Sequence, residues 1–211
     1  SGRRAIEGGI YLQNDMKVGE KLGFQYGLRY SLFEFMGGAT TYTFDKDGNK
    51  TSSTTYKNWE PIKYYGGFEP RLAAKYQFND ISSIKASYNR MYQYLHLLSN
   101  STTSSPTDLW VPTSNNVKPQ IVDQYSIGYF RNFKNNMFEV SLEAYYKTLQ
   151  NQIDYRNGAE TQYNELVEGQ LVYGKGRAYG LELLVRKQTG RLTGWVSYTL
   201  SRSLRTFDEI N

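Results

Sequence analysis

The feature that most constrains this chain is a two-residue alternation of apolar and polar side chains that recurs along most of its length. In 22–32, Leu22, Phe24, Tyr26, Leu28, Tyr30 and Leu32 share one side while Gly23, Gln25, Gly27, Arg29 and Ser31 share the other. The same pattern marks 67–78, 84–94 and 138–147, and weaker versions run through 4–14, 121–131, 178–187 and 193–204. A period of two puts successive side chains on opposite faces of a β-strand, and almost no window carries the 3.6-residue period of a helix. Eight strands of about 10–15 residues are predicted, against a globular mode of about 5–6. A strand needs about 9–11 residues to cross a bilayer.

The spacing between strands sharpens the reading. Short turns are expected near Asp15–Glu20, Asn79–Ser82, Asn132–Asn136 and Gln188–Arg191, and long polar loops at 34–63, 96–120 and 152–176. Strict short–long alternation is the habit of a transmembrane barrel, whose tight turns lie on one side of the membrane and long loops on the other. The fold expected is therefore all-β, an antiparallel up-and-down transmembrane β-barrel rather than a soluble sandwich; that it is a β-barrel segment is what the resemblance given below implies. On the polar face, Arg29, Glu69, Arg71, Lys75, Lys85, Glu143 and Lys147 mix both signs; a dry core would require each to be paired, whereas a wet lumen would not. Tyrosines near the ends of the apolar face (Tyr30, Tyr94, Tyr129, Tyr146) suit the headgroup level of a bilayer.

Composition closes off other chemistries. The chain has no cysteine and one histidine, which leaves no thiolate metal site and no multi-histidine cage. His96, beside Leu97 and Leu98, reads as an interfacial residue rather than a catalytic base. Gly174-x-Gly176-x-x-x-Gly180 misses the spacing of a dinucleotide loop. Asp45-Lys46-Asp47-Gly48-Asn49 lacks the glycine and glutamate positions of a calcium loop and reads as a hairpin tip. No catalytic residue, metal or cofactor is expected. The net charge is +5, but the three long loops together sum to −2, so the basic excess lies on strands and short turns. Nucleic-acid binders concentrate base on an exposed face, and none is expected as a partner. Loop aromatics Tyr42, Tyr56, Trp59, Trp110, Tyr155, Tyr163 and Tyr173 could stack on a ligand above the mouth or anchor loop packing, and the sequence leaves both open.

Several stretches resemble TonB-dependent outer-membrane receptors, especially those of the Bacteroidetes. They are SYNRMYQYLHLLSNS (87–101), PTDLWVP (106–112), KPQIVDQYSIGYFRNF (118–133), FEVSLEAYYKTLQNQIDYRNGAE (138–160), YGKGRAYGLELLVRK (173–187) and GWVSYTLSRSLRTFDEIN (194–211), with GLRYSLF (27–33) fitting as well. The resemblance implies a plugged 22-strand barrel in the bacterial outer membrane that imports a scarce nutrient (an iron chelate, cobalamin or a glycan). It also implies membrane lipid, the rest of the barrel and its plug, the TonB complex and a surface lipoprotein as partners. With about eight strands, no plug-like segment and no terminal aromatic, residues 1–211 are expected to be one partial barrel domain with unpaired edges. Two rivals remain open at this point: a complete small barrel with a structural or adhesive role, and a soluble β-rich binding module.

Overall fold

The structure, a computed structural model, describes residues 4–98, 109–159 and 165–207. In chain order the strands are β1 (Arg4–Val18), β2 (Leu22–Met36), β3 (Thr40–Phe44), β4 (Lys50–Thr55), β5 (Pro61–Asn79), β6 (Ser82–Gln93), β7 (Leu95–Leu98), β8 (Leu109–Pro112), β9 (Gln120–Phe133), β10 (Phe138–Tyr155), β11 (Leu171–Lys187) and β12 (Gly194–Phe207), with a 3₁₀ turn at Val167–Gln170. Eight of them form one antiparallel sheet in the order β1-β2-β5-β6-β9-β10-β11-β12, an up-and-down meander. The pairs β3–β4 and β7–β8 are small separate hairpins. Among the described residues no ladder joins β1 to β12, so the sheet is open.

Each strand pairs with the next long strand in the chain, so the connections fall alternately at the two ends. Tight turns at 19–21, 80–81, 134–137 and 188–193 occupy one end; 37–60 and the described parts of the other two long connections, 94–98 with 109–119 and 156–159 with 165–170, occupy the other. The turn at 134–137 keeps Lys134, Asn135 and Asn136 at φ of 49°, 54° and 64°, a left-handed run that asparagine tolerates better than most residues. The first strand is longer than its alternation indicates: Asp15–Val18, expected in a turn, pairs with Leu22–Gln25, and the chain reverses only at Gly19 with φ 64°. The two loop hairpins are also additional to the eight expected strands.

Register separates the two faces cleanly. Gly23 stands opposite Lys75, Lys75 opposite Lys85, Lys85 opposite Gly128, Gly128 opposite Glu143, and Glu143 opposite Glu182. Arg29 faces Glu69, Arg71 faces Gly27 and Asn89, and Lys147 faces Gln124. All seven charged residues singled out in the sequence thus share one polar face. On the other face Tyr26 stands opposite Leu72, followed in line by Tyr88, Tyr125, Tyr146 and Tyr179, and the row ends at Arg202. Neighbouring rings in this row approach at 5.0 Å (Tyr88–Tyr125) and 6.4 Å (Tyr146–Tyr179).

Below that row the face is almost wholly aliphatic or aromatic, and it is bare: Tyr76, Leu142 and Leu200 are 42%, 44% and 63% exposed. Leaving such a side chain in water forgoes about 1.5–3 kcal/mol each, so a face of this extent needs an apolar surrounding. Buried apolar clusters occur instead at the long-loop end. One comprises Leu98, Val111, Val117, Ile153 and Leu171, the other Phe33, Phe35 and Tyr94.

Candidate ligand-binding mouth

The three long connections converge on the short segment 114–117. The Ser114 hydroxyl accepts the Asn116 and Val117 N–H groups at 3.2 and 3.1 Å, and the Ser114 N–H donates to the Val117 carbonyl at 2.9 Å, which fixes a tight turn. That turn aims two side-chain amides outward. Asn116 Nδ2 donates to the Tyr42 carbonyl on β3 at 2.9 Å and to Glu168 Oε2 in the 3₁₀ turn at 2.6 Å. Its own carbonyl accepts the Tyr173 hydroxyl at 2.9 Å. Asn115 Nδ2 also reaches the Tyr42 carbonyl, at 3.1 Å, and the Tyr65 hydroxyl donates to the Ser114 carbonyl at 2.8 Å. Arg156 closes the ring by donating to the Lys46 carbonyl. Between these groups lies a polar recess of about 340 Å³ that includes Asp45, Asn115, Asn116, Arg156, Glu168 and Tyr173 in its lining.

The β3–β4 tip that forms one wall is a hairpin turn, as its sequence indicates. Asp45 Oδ1 accepts the Asp47 and Asn49 N–H groups at 3.0 and 2.8 Å, and Gly48 takes φ 82°. The Asn49 amides hold the Asp45 carboxyl below its usual pKa. Among the described residues no group of three or more His, Asp or Glu side chains is placed to hold a metal ion.

A second feature lies on the polar face just inside the loops. Phe33 and Tyr94 stack at 5.1 Å with planes 9° apart, Tyr92 lies 6.2 Å from Tyr94, and the Tyr94 and Ser31 hydroxyls meet at 2.8 Å. Glu69, 5% exposed, sits beneath them between Arg29 and Arg71 at 3.8 and 4.0 Å and also accepts the Tyr92 N–H at 3.3 Å. Tyr94 therefore does not join the apolar face, where alternation had placed it. The chain leaves the β6 ladder at Tyr94 before β7 begins, and the break turns the ring inward.

His96 is likewise deeper than its sequence context indicates. It is 1% exposed, its Nε2 lies 3.2 Å from the Thr113 hydroxyl, and burial lowers its pKa to about 4. It is a neutral packing residue within the β7–β8 hairpin, opposite Val111, rather than an interfacial one.

The loop aromatics divide by what they touch. Tyr155 packs against the Leu98–Val111–Val117 cluster. Lys50 covers the ring of Tyr42 at 4.7 Å, and Arg4 covers Trp59 at 5.4 Å. Tyr173 lines the recess and Tyr56 is half-buried near Gly37. Trp110, 58% exposed, stands apart on the outer side of β8, opposite Leu97. Tyr163 lies outside the described residues. The residues that knit the mouth together, Asn115 and Asn116, carry no signal in the sequence beyond a polar Ser-Asn-Asn triplet.

Residues 2–210 match the family described as TonB dependent receptor-like, beta-barrel. The chain belongs to this family. TonB-dependent receptors are outer-membrane transporters rather than enzymes; they carry plug domains and engage TonB and their ligands, and this chain is a segment of such a barrel. Among solved structures, the FrpB iron transporter of Neisseria meningitidis (F3-3 variant) is 16% identical, with a TM-score of 0.61 over 98% of this chain and 27% of its own. The alcaligin outer membrane receptor FauA of Bordetella pertussis is 18% identical, with a TM-score of 0.59 over 99% and 32%. The pyoverdine outer membrane receptor FpvA of Pseudomonas aeruginosa PAO1 is 15% identical, with a TM-score of 0.60 over 96% and 25%. The chain thus spans about a quarter to a third of the length of these structures. Among curated proteins no match is found.

Proposed function

We propose that this chain supplies wall strands and part of the outward mouth of a Bacteroidetes-type TonB-dependent receptor that captures a scarce nutrient and passes it through the barrel. A ferric chelate is the favoured cargo, ahead of cobalamin or a glycan. The observation that carries the reading is the convergence of all three long connections on the Asn115–Asn116 turn, at the loop end of a face most of whose charges are exposed or half-exposed, with only Glu69 buried between two arginines. In this reading the polar face with Arg29, Glu69, Arg71, Lys75, Lys85, Glu143 and Lys147 lines the lumen, and the tyrosine-edged face meets lipid.

Ligand would first meet Trp110 and Tyr173 at the rim. It would then pass to the Phe33–Tyr94 stack and the Arg29–Glu69–Arg71 group, whose paired charges can exchange partners with a polar chelate. Movement of the plug, powered through TonB, would open the path onward, and a surface lipoprotein could deliver cargo to the loops. Iron and siderophore receptors among the structural neighbours support the choice of cargo.

The test is direct binding to the full-length receptor in detergent, with ferric siderophores, cobalamin and oligosaccharides compared by isothermal calorimetry. A ferric chelate that binds, and binds at least about tenfold more weakly after Tyr94→Ala, is the expected result. Saturable binding of cobalamin or a glycan alone would replace the cargo, and binding indifferent to Tyr94 would remove the proposed route.

A further inference from the structure

The apolar face carries a row of residues one step beyond the tyrosines, and the row treats its charges unequally. Arg90 stands opposite Asp123, Asp123 opposite Thr148, Thr148 opposite Arg177, and Arg177 opposite Leu204. At the β6–β9 end the arginine is neutralised: Nε and Nη2 donate to the two Asp123 oxygens at 2.8 and 3.0 Å, and Tyr88 donates to the same carboxylate at 2.8 Å. At the β10–β12 end a threonine occupies the position an acid would need. Arg177 is exposed there, two residues from Lys175 on the same face, and Arg202, opposite Tyr179, is its diagonal neighbour. Among the described residues none of these three cations has an ion-pair partner.

We infer that Lys175, Arg177 and Arg202 form a binding site on the outside of the barrel for the phosphorylated headgroup of an outer-leaflet glycolipid. The inference rests on the reading that the apolar face meets lipid. Tyr146 and Tyr179 mark the depth, since amphipathic rings settle at the headgroup level; Arg202 ends their row, and Arg177 and Lys175 lie on its loop side. A shallow recess of about 900 Å³, bordered by Tyr146, Thr148, Lys175, Arg177, Leu204 and Thr206, opens at this point. Below it Leu181, Leu183 and Leu200 continue the bare apolar surface. An occupant must therefore combine an anionic head of at least two charges with acyl chains lying down the wall. A free phosphate would match the cations and leave the apolar half unused.

The experiment is native mass spectrometry of the full-length receptor released from detergent after incubation with bis-phosphorylated lipid A. The wild type should retain the lipid. The triple variant Lys175→Ser/Arg177→Ser/Arg202→Ser should lose retention by roughly a hundredfold, near-surface cations being additive in their attraction for anionic lipid. Thr148→Asp, which removes no cation but rebuilds the Arg90–Asp123 arrangement at Arg177, should weaken it about fivefold. Lys187→Ser, on the same face and strand at the opposite end, should leave it unchanged. Equal retention by wild type and triple variant overturns the site, and so does displacement of the lipid by millimolar inorganic phosphate, which would mark a plain anion site. Failure of the underlying face assignment shows separately. In cells, Leu142→Cys labelled by a membrane-impermeant thiol reagent faster than Glu143→Cys would show that the apolar face does not meet lipid.

Discussion

On the apolar face, Arg90 and Asp123 meet in a two-pronged pair backed by the Tyr88 hydroxyl, and Asp123 is 5% exposed. On the polar face of the same sheet, Lys75 stands opposite Lys85 and Glu143 opposite Glu182, like charge against like. Directly opposed like charges destabilise a sheet unless water or a counter-surface intervenes. At its β6–β9 end the apolar face neutralises its charges within itself, whereas the wet face leaves them for something else to balance. The charged row on that face runs from two lysines on β5 and β6 to two glutamates on β10 and β11, so a body seated against it would have to be acidic at one end and basic at the other.

The contrast is open to measurement. The largest effect is expected at the closed pair: Asp123→Ala strands Arg90 on the apolar face and should cost about 3–5 kcal/mol. Urea unfolding of the receptor in micelles would read this, and the apolar replacement Arg90→Met/Asp123→Leu should recover most of the loss. A cost for Asp123→Ala near that of an ordinary surface change would show that the pair is not shielded from water.

Next in size is His96, where the loop core excludes a charge instead of pairing it. Its folded pKa of about 4 lies below the unfolded value of about 6.5, so the folded form disfavours the proton. Stability from the neutral ring is full above about pH 6.5 and is lost as pH falls toward 4, on the order of 3 kcal/mol in all. Hydrogen exchange of 95–98 and 109–112 should quicken over that window in the wild type and not in His96→Asn.

Asn116→Ala is expected to cost about 0.5–1.5 kcal/mol locally, because it removes the one amide that donates to both the Tyr42 carbonyl and Glu168 Oε2 and so ties the first long connection to the third. Faster proteolysis of the 37–60 and 156–170 segments, with the sheet's melting unchanged, is the sign to look for. The smallest effect belongs to the wet face. Lys85→Glu converts the Lys75–Lys85 clash to an attraction and should stabilise by about 0.2–1 kcal/mol. A destabilisation would mean that the row is already balanced by a partner.

The eight wall strands were legible because each has one face that avoids water, and that demand writes a two-residue period into the sequence. The hairpin β3–β4 left little such trace: KTSSTT is polar on both faces and TTYTF sets only Tyr42 and Phe44 on one side, the pair being held by hydroxyls such as Thr40–Thr55 at 2.9 Å and Thr43–Thr51 at 2.8 Å. Strands β7 and β8 are only four residues each, too short to display a period. Alternation extrapolated through the break after Gln93 puts Tyr94 on the wrong face, and the leucines beside His96, which suggest an interface, do not show that Thr113, 17 residues away, closes over the ring. The seven polar-face charges emerged from period alone. The mouth did not, because Asn116 gains its meaning from Tyr42 and Glu168, 74 and 52 residues away.

The plain meander order of the sheet bears on how such a wall is made. Every long strand lies beside its nearest long neighbours in the chain, so no strand must be threaded between two already joined. The loops to be closed are short compared with the chain, and their entropy grows only slowly with length. Contacts so local favour rapid formation. The wall can therefore be laid down one hairpin at a time from a single growing edge, each new strand covering the bare backbone of the last, as the chain is delivered.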